Sequence, residues 1–238
     1  KGSTAVGLLV DDAQTGSRQV LKVALDDEAA TRLDDEAQVL RLLPLHKRLV
    51  RLLDGPFDVG GRRALLLTSA GTRTLSEVLR ERQRLSLDHL ERFGSELLEA
   101  AQALDAAGLR HRDVKPANIG VVRTPKHGEH LVLFDFSLAR ARSTDVRAGT
   151  PPYLDPFLEQ GGRTGYDSAA ELYAVAVVLY EMASGQKPFY GDPEANPAAV
   201  RDDLTVPDGI FDPSLQAPLS ALFERALARD AQARFHTV

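Results

Sequence analysis

The hydrophobic pattern of this chain changes its period near Thr74, and this change limits the possible folds. Before it, short apolar segments between turn residues predict four strands, at Leu8–Val10, Gln19–Leu25, Leu49–Leu53 and Ala64–Thr68. Apolar positions three or four residues apart predict one helix among them, Asp26–Leu43. A capping-box pattern at Thr74–Glu77 then starts a mainly helical remainder. We therefore expect an α+β chain with two lobes that meet near 68–71.

The second part of the chain is predicted to contain three long helices and one pair of strands. The helices are expected at Leu87–Ala107, Ser168–Ala183 and Ala217–Arg229. The strands Ile119–Val122 and Leu131–Phe134 flank a polar hairpin loop, 123–130.

Composition excludes several classes of protein. Hydrophobic residues make up 43% and charged residues 26% of the 238 residues, which is typical of folded soluble domains. The net charge of −5 argues against a broad nucleic-acid surface, and the absence of Cys excludes disulfides and thiol chemistry. The longest apolar run, Leu172–Tyr180, is far shorter than the roughly twenty residues of a membrane helix. We therefore expect a cytoplasmic protein without nucleic-acid or membrane partners, and the start at Lys1 without Met predicts a piece of a larger parent.

The segment His111–Asn118 carries the strongest chemical signal. It places a carboxylate, an amine and an amide (Asp113, Lys115 and Asn118) in one tight loop between a helix and a strand. Such a group suits phosphoryl transfer, where catalysis is mostly positioning and charge neutralisation. The alternative, an ordinary polar surface loop, does not explain six specified residues at fixed spacing.

A second carboxylate, Asp135, follows directly after the apolar strand Leu131–Phe134. A carboxylate at a strand end can supply an oxygen ligand to a hard cation such as Mg²⁺. Taken alone, Asp135–Ser137 would be read as a strand-terminal turn. Beside the His111–Asn118 loop it is better explained as part of the same site.

Together, His111–Asn118 and Asp135–Ser137 resemble the catalytic core of eukaryotic-type protein kinases, and the resemblance extends over nearly the whole chain. It implies a two-lobed protein-kinase fold with a small antiparallel-sheet N-lobe that has one main helix, a larger mostly helical C-lobe, and the N-terminal strand missing. The lobes are expected at 1–67 and 72–238, joined by a hinge at 68–71. The implied activity is ATP- and Mg²⁺-dependent phosphorylation of Ser or Thr hydroxyls on a protein substrate.

The resemblance implies a role for each polar residue of the core. Asp113 would be the catalytic base, with Lys115 and Lys22 as phosphate contacts. The catalytic residues are thus expected to be Lys22, Asp113, Lys115 and Thr150, and the metal ligands Asn118 and Asp135. Lys115 and Thr150 follow the pattern of serine/threonine rather than tyrosine kinases.

The same resemblance implies a nucleotide site formed by Gly2, Ser3, Thr4, Ala5, Lys22, Glu36, Thr68 and Ala70. Glu36 would pair with Lys22, and Leu67 would stand at the back of the adenine pocket. Alternatives remain open for these residues. Lys22 also reads as a strand-edge lysine, Glu36 as part of a solvated acidic face, and Gly2–Ala5 as a plain hairpin tip.

Several residues depart from the kinase pattern. Ser137 and Phe157 replace the usual Gly and Glu, and Gly120 replaces a large apolar residue below the adenine, which predicts a thinner floor. With Phe157 in place, Glu159 is expected to pair with Arg234. Glu171 replaces the Asp that braces the catalytic loop, although Ser168–Glu171 is also a capping box.

A narrower resemblance rests on Gly2–Ala5, Phe134–Ala139 and Gly149–Phe157. These segments are similar to the kinase of bacterial phage-growth-limitation systems, also associated with BREX-type phage defence, which implies an antiviral role within a large parent protein. Two other functions remain open at this point: a pseudokinase that senses nucleotide, and a small-molecule phosphotransferase. Activation by phosphate on Ser143 or Thr144, paired with Arg112, is a further expectation.

Overall fold

The computed structural model describes residues 5–124, 128–160 and 162–238. Gly2, Ser3 and Thr4, which were predicted to face phosphate, lie outside the described residues. The structure has the two parts that the periodicity predicts, a strand-rich first part and a mainly helical second part.

The first part is an antiparallel sheet with one helix packed against it. Its strands, in the order β1-β2-β4-β3, are β1 (Ala5–Asp11), β2 (Arg18–Ala24), β3 (Leu52–Val59) and β4 (Arg62–Thr68). The helix α1 (Asp27–Leu42) begins where the Asp26 side chain accepts a hydrogen bond from the Ala29 amide at 2.8 Å. The predicted turn at Gly60-Gly61 is confirmed, with both residues at positive φ.

One strand prediction in this part was wrong. The third strand starts at Leu52 rather than at Leu49 and runs to Val59. Leu49 and Val50 are instead buried, and the Val50 amide donates to the Leu133 carbonyl at 3.0 Å. Leu49 and Val50 therefore contact Leu133, more than 80 residues farther along the chain, and local periodicity does not reveal such a contact.

The second part begins with a very short strand and a capped helix. The strand β5 (Arg73–Thr74) leads into α2 (Leu75–Arg82), where Thr74 and Glu77 form the predicted capping box. It continues through α3 (Leu87–Ala106), β6 (Ile119–Thr124), β7 (Gly128–Leu133), α4 (Ser168–Ser184), β8 (Phe189–Tyr190), β9 (Leu204–Thr205) and α5 (Gln216–Ala226). The hairpin strands β6 and β7 extend into the region predicted as loop, and α5 ends three residues earlier than predicted.

The helix α4 lies at the centre of the second part. It is rich in Ala and Val, and most of its residues are buried, so neighbouring elements pack around it on several sides. It ends at Gly185, which has the left-handed backbone that glycine adopts without strain. One hydrophobic cluster runs from the sheet into this helical part. Among the described residues, no helix is both long and apolar enough to cross a membrane.

Candidate active site

Two carboxylates from distant parts of the chain, Glu36 and Asp135, contact the Lys22 ammonium. The Lys22 Nζ atom, on β2, lies 2.6 Å from Glu36 Oε2 on α1 and 2.8 Å from Asp135 Oδ1. Glu36 is 1% exposed, and its Oε1 atom accepts a hydrogen bond from the Phe136 amide at 3.2 Å. Glu36 is therefore buried beside Lys22, which is not the position expected for part of a solvated acidic face.

The Lys22 ammonium stabilises both carboxylates, but burial, together with repulsion from Asp135, keeps the pKa of Glu36 above its ordinary value. Burial alone would lower the pKa of Lys22, but the Glu36 and Asp135 carboxylates hold it above its ordinary value. Burial would raise the pKa of Asp135, but the Lys22 ammonium and a hydrogen bond from Ser137 keep it below its ordinary value. Ser137, the residue in the place of glycine, thus contacts the carboxylate, and the site holds Asp135 ionised at neutral pH.

Three polar residues surround the second carboxylate, Asp113. Its Oδ2 atom accepts hydrogen bonds from Lys115 Nζ at 2.6 Å and from Asn118 Nδ2 at 2.9 Å. Its Oδ1 atom accepts one from the Thr150 hydroxyl at 2.7 Å, and Lys115 also donates to Thr150 at 2.6 Å. The residues predicted as catalytic are therefore in two clusters, one around Lys22 and one around Asp113.

Glu171, on α4, holds the backbone of the loop His111–Asn118. The Glu171 carboxylate accepts from the backbone amides of His111 at 2.6 Å and Arg112 at 3.0 Å, and from the Tyr166 hydroxyl at 2.6 Å. The capping-box interpretation of Ser168–Glu171 is wrong, because the N-cap of α4 is Asp167, whose side chain accepts from the Ala170 amide. Glu171 thus occupies the position of a brace for the loop, one methylene longer than aspartate.

An apolar cavity of about 170 Å³ lies between the two parts of the chain, and its lining includes Val20, Leu67, Thr68, Ala70, Gly120 and Phe134. Leu67 and the two predicted hinge residues therefore border the same cavity. The Thr68 amide donates to the Arg51 carbonyl at 2.9 Å, so this N–H is not available to a ligand.

The thin floor at Gly120 stays a prediction, and the structure adds that Gly120 lies directly against the backbone of Ala70. A Cβ atom at Gly120 would lie 1.9 Å from the Ala70 carbonyl oxygen and 2.7 Å from the Ala70 Cβ. One at Gly71 would lie 2.3 Å from the Val121 carbonyl oxygen. The segment Ala70-Gly71 therefore packs directly on β6 and fills the space that a larger residue would take.

The late arginine pairs with Asp155 and not with Glu159. Arg234 Nη1 and Nη2 lie 2.7 and 3.2 Å from the Asp155 oxygens, and Arg163 Nη1 lies 2.6 Å from Oδ2. Glu159 is exposed, so the predicted Glu159–Arg234 pair was wrong. Asp155 was not predicted as the partner, although an acidic residue two positions before Phe157 was a usable signal.

Phe157 is almost fully buried, at 1% exposure, and its ring lies between aromatic and cationic neighbours. The Arg229 guanidinium stands 4.5 Å from the centre of the ring, and Tyr190 packs edge-on at 5.1 Å. The aromatic ring thus replaces an ionic contact with cation–π and apolar packing at this position.

The donor set near Asp113 and Asp135 fits a magnesium ion. Asn118 uses its side-chain nitrogen to bind Asp113, and no group of the described residues donates a hydrogen bond to its Oδ1 atom. Within the same residues, no group of three or more His, Asp or Glu side chains could hold a metal by itself. Mg²⁺ in phosphoryl-transfer sites is commonly held by one or two protein side chains together with substrate phosphates, and the Asn118 and Asp135 side chains carry oxygen atoms of the type that such sites use.

The amino-acid sequence was compared with protein families and with characterised proteins. The family model for the protein kinase domain matches residues 1–237. A probable kinase, PglW of Streptomyces coelicolor, is 40% identical over 263 aligned residues, covering 98% of this chain and 17% of its own length. Serine/threonine-protein kinase PknB of Mycobacterium tuberculosis is 34% identical over 154 residues, covering 59% of this chain and 24% of its own. Serine/threonine-protein kinase 36 of Mus musculus is 30% identical over 174 residues, covering 71% of this chain and 12% of its own. This chain thus spans less than a quarter of the length of each of these relatives.

Proposed function

Since this chain belongs to the protein kinase family, we propose that it transfers the γ-phosphoryl group of ATP to serine or threonine hydroxyls of a protein. The observation that carries the proposal is the network in which Lys115 and Thr150 both contact the Asp113 carboxylate. This geometry fits the Ser/Thr class of acceptor that the sequence predicts. The relatives named as serine/threonine-protein kinases support the same class.

In this proposal, each residue of the site has one task. Asp113 accepts the proton of the acceptor hydroxyl as its oxygen bonds to the γ-phosphorus and the bond to the leaving ADP oxygen breaks. Lys115 neutralises charge on the moving phosphoryl group, and Lys22, held by Glu36, contacts the α- and β-phosphates. Asn118 and Asp135 would hold Mg²⁺, which when bound neutralises charge on the phosphates. Ala5, Thr68 and Ala70 remain predicted contacts of the nucleotide, beside Gly2, Ser3 and Thr4.

The first test is phosphate transfer from γ-labelled ATP with Mg²⁺ to a basic general protein substrate. We expect label with the wild type and loss of nearly all of it in Asp113→Ala and Lys22→Met. Lys47→Met, which changes an exposed lysine that pairs only with Glu99 among the described residues, is the matched control and should keep full activity. Label that is equal in Asp113→Ala and wild type would exclude this assignment.

The pseudokinase and the small-molecule phosphotransferase each predict a different result. Thermal stabilisation by ATP and Mg²⁺ without any transfer would favour a pseudokinase. Transfer to an aminoglycoside or to choline, with none to protein, would favour a small-molecule phosphotransferase. The Lys22–Glu36–Asp135 and Asp113–Lys115–Thr150 clusters favour transfer over nucleotide sensing alone. Thr150 also belongs to the segment Gly149–Pro156, which small-molecule phosphotransferases generally lack, and this favours a protein acceptor.

We also propose that the domain is the kinase module of a larger cytoplasmic phage-defence protein. Its similarity to PglW over nearly the whole chain, although the chain spans 17% of that relative, supports a larger parent. The substrate would then be a protein partner in the same system. Loss of protection against phage when Asp113→Ala is introduced into the parent protein, with wild-type protein levels, is the expected result.

A further inference from the structure

The segment that leads to Thr150 runs along the edge of the candidate active site. The Thr150 hydroxyl donates to Asp113 Oδ1 at 2.7 Å. A Cβ atom at Gly149 would lie 3.0 Å from the carbonyl oxygen of Arg112, so the backbone here packs directly against the loop that carries Asp113. A protein whose hydroxyl group reaches the Asp113 carboxylate therefore brings the residues beside that hydroxyl close to this segment.

Arg147 is an exposed positive charge in the segment, three residues before Thr150. Three residues span at most about 11 Å of chain, and the long arginine side chain can shorten the distance to a bound peptide further. Within residues 5–124, 128–160 and 162–238, no acidic side chain lies at ion-pair distance from the Arg147 guanidinium. Its charge is thus available to a peptide that binds beside Asp113.

Arg142 is a second exposed charge in the same segment. The carbonyl of the next residue, Ser143, accepts from the Tyr166 amide at 2.8 Å, and the Tyr166 hydroxyl donates to Glu171 at 2.6 Å. Glu171 also accepts from the His111 amide, so the backbone near Arg142 is connected to the loop His111–Asn118. The Arg142 guanidinium likewise has no ion pair in the part of the chain that the structure describes.

The remaining charges of the segment do not cancel these two. Arg140 lies 3.5 Å from Asp35 on α1 and is therefore already paired. Between residues 140 and 150 the sequence has a single carboxylate, Asp145. Two unpaired arginines, Arg142 and Arg147, thus stand against one aspartate, and this edge of the site is positive although the whole chain has a net charge of −5.

We propose that Arg147, together with Arg142, selects the protein substrate and favours a serine or threonine that has aspartate or glutamate residues beside it. This inference rests on the proposed kinase function and names the class of sequence that its site accepts. Carboxylates near the acceptor are attracted to the exposed guanidinium groups, whereas lysines are repelled. The two charges act on substrate binding and not on the chemistry at Asp113, so a basic protein is still phosphorylated, but more slowly.

The first experiment compares three synthetic peptides that share one acceptor serine and differ only in the residues beside it. These residues are glutamate in one peptide, glutamine in the second and lysine in the third. At low ionic strength we expect kcat/KM to be at least about tenfold higher for the glutamate peptide than for the lysine peptide, with the glutamine peptide between them and most of the difference in KM. The preference should shrink as salt is added, because salt screens exposed charges.

Variants of the two arginines then test whether they cause the preference. Arg147→Met and Arg142→Met should each reduce it by about threefold or more, and Arg147→Glu should abolish or reverse it, while kcat/KM for the glutamine peptide stays within about twofold of wild type. Arg123→Met removes the same charge from an exposed position near the far end of β6 and should leave the preference unchanged. A preference in Arg147→Glu equal to that of wild type would overturn the proposal. An equal loss of activity with all three peptides would overturn it as well, because it would indicate a structural role.

Failure of this inference can be distinguished from failure of the kinase function. Equal transfer to all three peptides would overturn the inference and leave the kinase function intact. Absence of transfer to every peptide would count against the kinase function, and binding of fluorescent peptides would then decide the inference.

The binding experiment uses Asp113→Ala, which on the proposed mechanism cannot phosphorylate itself. Ser143 and Thr144, whose phosphorylation stays a prediction, then carry no phosphate that could neutralise the arginines. We expect fluorescence anisotropy to show tighter binding of the glutamate peptide than of the lysine peptide, and loss of this difference when Arg147→Glu is added. Equal binding of the two peptides would overturn the proposal.

Discussion

Asp155 and Arg234 are 79 residues apart in the chain and form a two-pronged ion pair, with N–O distances of 2.7 and 3.2 Å. Their side chains are 0% and 2% exposed, respectively. The pair joins the segment around Phe157 to the C-terminal part of the chain. The sequence pattern had predicted Glu159 as the acidic partner of Arg234.

Asp155→Asn should strongly destabilise the domain. It would leave the buried Arg234 without its counter-charge, whereas Arg163 keeps its ion pair with Asp167, and breaking a buried pair in this way costs about 3–5 kcal/mol. Urea denaturation of wild type and variant measures the free energy of unfolding. Glu159→Gln is the matched control and should stay within about 0.5 kcal/mol of wild type, because its side chain is exposed. A larger effect at Glu159 than at Asp155 would contradict the observed pairing.

Glu171→Gln should weaken both stability and activity. The side-chain NH₂ group that this substitution introduces would face backbone N–H groups that now donate to a carboxylate, leaving a buried donor unpaired at a cost of about 1–3 kcal/mol. We expect kcat to fall as well, because the bonded amides belong to the residues just before Asp113. Ser168→Ala serves as control: Asp167 caps the helix, and the substitution removes only the hydrogen bond that the Ser168 hydroxyl accepts from Arg110, so the free energy of unfolding should change less than in Glu171→Gln. Equal effects of the two substitutions would support the capping-box interpretation.

Gly120→Ala should reduce nucleotide binding. The new methyl group would overlap the Ala70 carbonyl, so the segment Ala70-Gly71 would have to move away from β6 and deform the cavity. The measurement is the thermal shift produced by ATP and Mg²⁺, which we expect to shrink or vanish. Gly94→Ala is a matched control on α3, where the nearest atom to the new Cβ is Leu179 Cδ2 at 3.6 Å. That variant should bind nucleotide normally and be more stable by about 0.5–1 kcal/mol. A full thermal shift in Gly120→Ala would show that the hinge contact does not limit binding.

Tyr180→Phe should stabilise the domain. Tyr180 is fully buried between Phe211 and Phe223, and its hydroxyl has no hydrogen-bond partner among the described residues. Burying an unsatisfied hydroxyl costs about 1–3 kcal/mol, so its removal should raise Tm in a thermal denaturation experiment. Tyr173→Phe is the comparison, because the Tyr173 hydroxyl is hydrogen-bonded to that of Tyr190 at 3.0 Å. Its removal should lower Tm, and a fall in Tm for Tyr180→Phe would indicate that its hydroxyl has a partner.

The Asp135 carboxylate should contribute a stability that disappears in acid. Its pKa is below the ordinary value of 3.8, so the folded protein binds this proton less readily than the unfolded chain does. The stabilisation is therefore complete above pH 3.8 and is lost as the pH falls through the lower folded-state value. The difference in unfolding free energy between wild type and Asp135→Asn should be constant at higher pH and shrink below 3.8. A difference that grows on acidification would contradict this sign.

Local sequence patterns predicted the parts of this domain that depend on neighbouring residues. The Thr74–Glu77 capping box, the turn at Gly60-Gly61 and the loop His111–Asn118 all follow from short-range geometry, and the structure has each in its expected place. The fold class followed from the change in period and from the kinase resemblance. The catalytic, nucleotide and metal roles, and the lobe boundaries at 67 and 72, remain predictions.

The errors share one cause, which is that long-range partners do not appear in a local pattern. Leu49 and Val50 have the composition of a strand, but their hydrogen bonds and burial involve β7. Glu159 was expected to pair with Arg234, but the folded backbone brings Asp155 to that arginine instead.

The sequence by itself determined which chemical groups this domain possesses and where its longer helices and most of its longer strands form, because these depend on residue type and on the spacing of a few positions. Only the tertiary structure decided where the third strand begins, which acid meets Arg234 and what Glu171 holds. Each of these contacts depends on a backbone path that brings residues far apart in the chain within about 3 Å of one another, the distance at which a hydrogen bond forms.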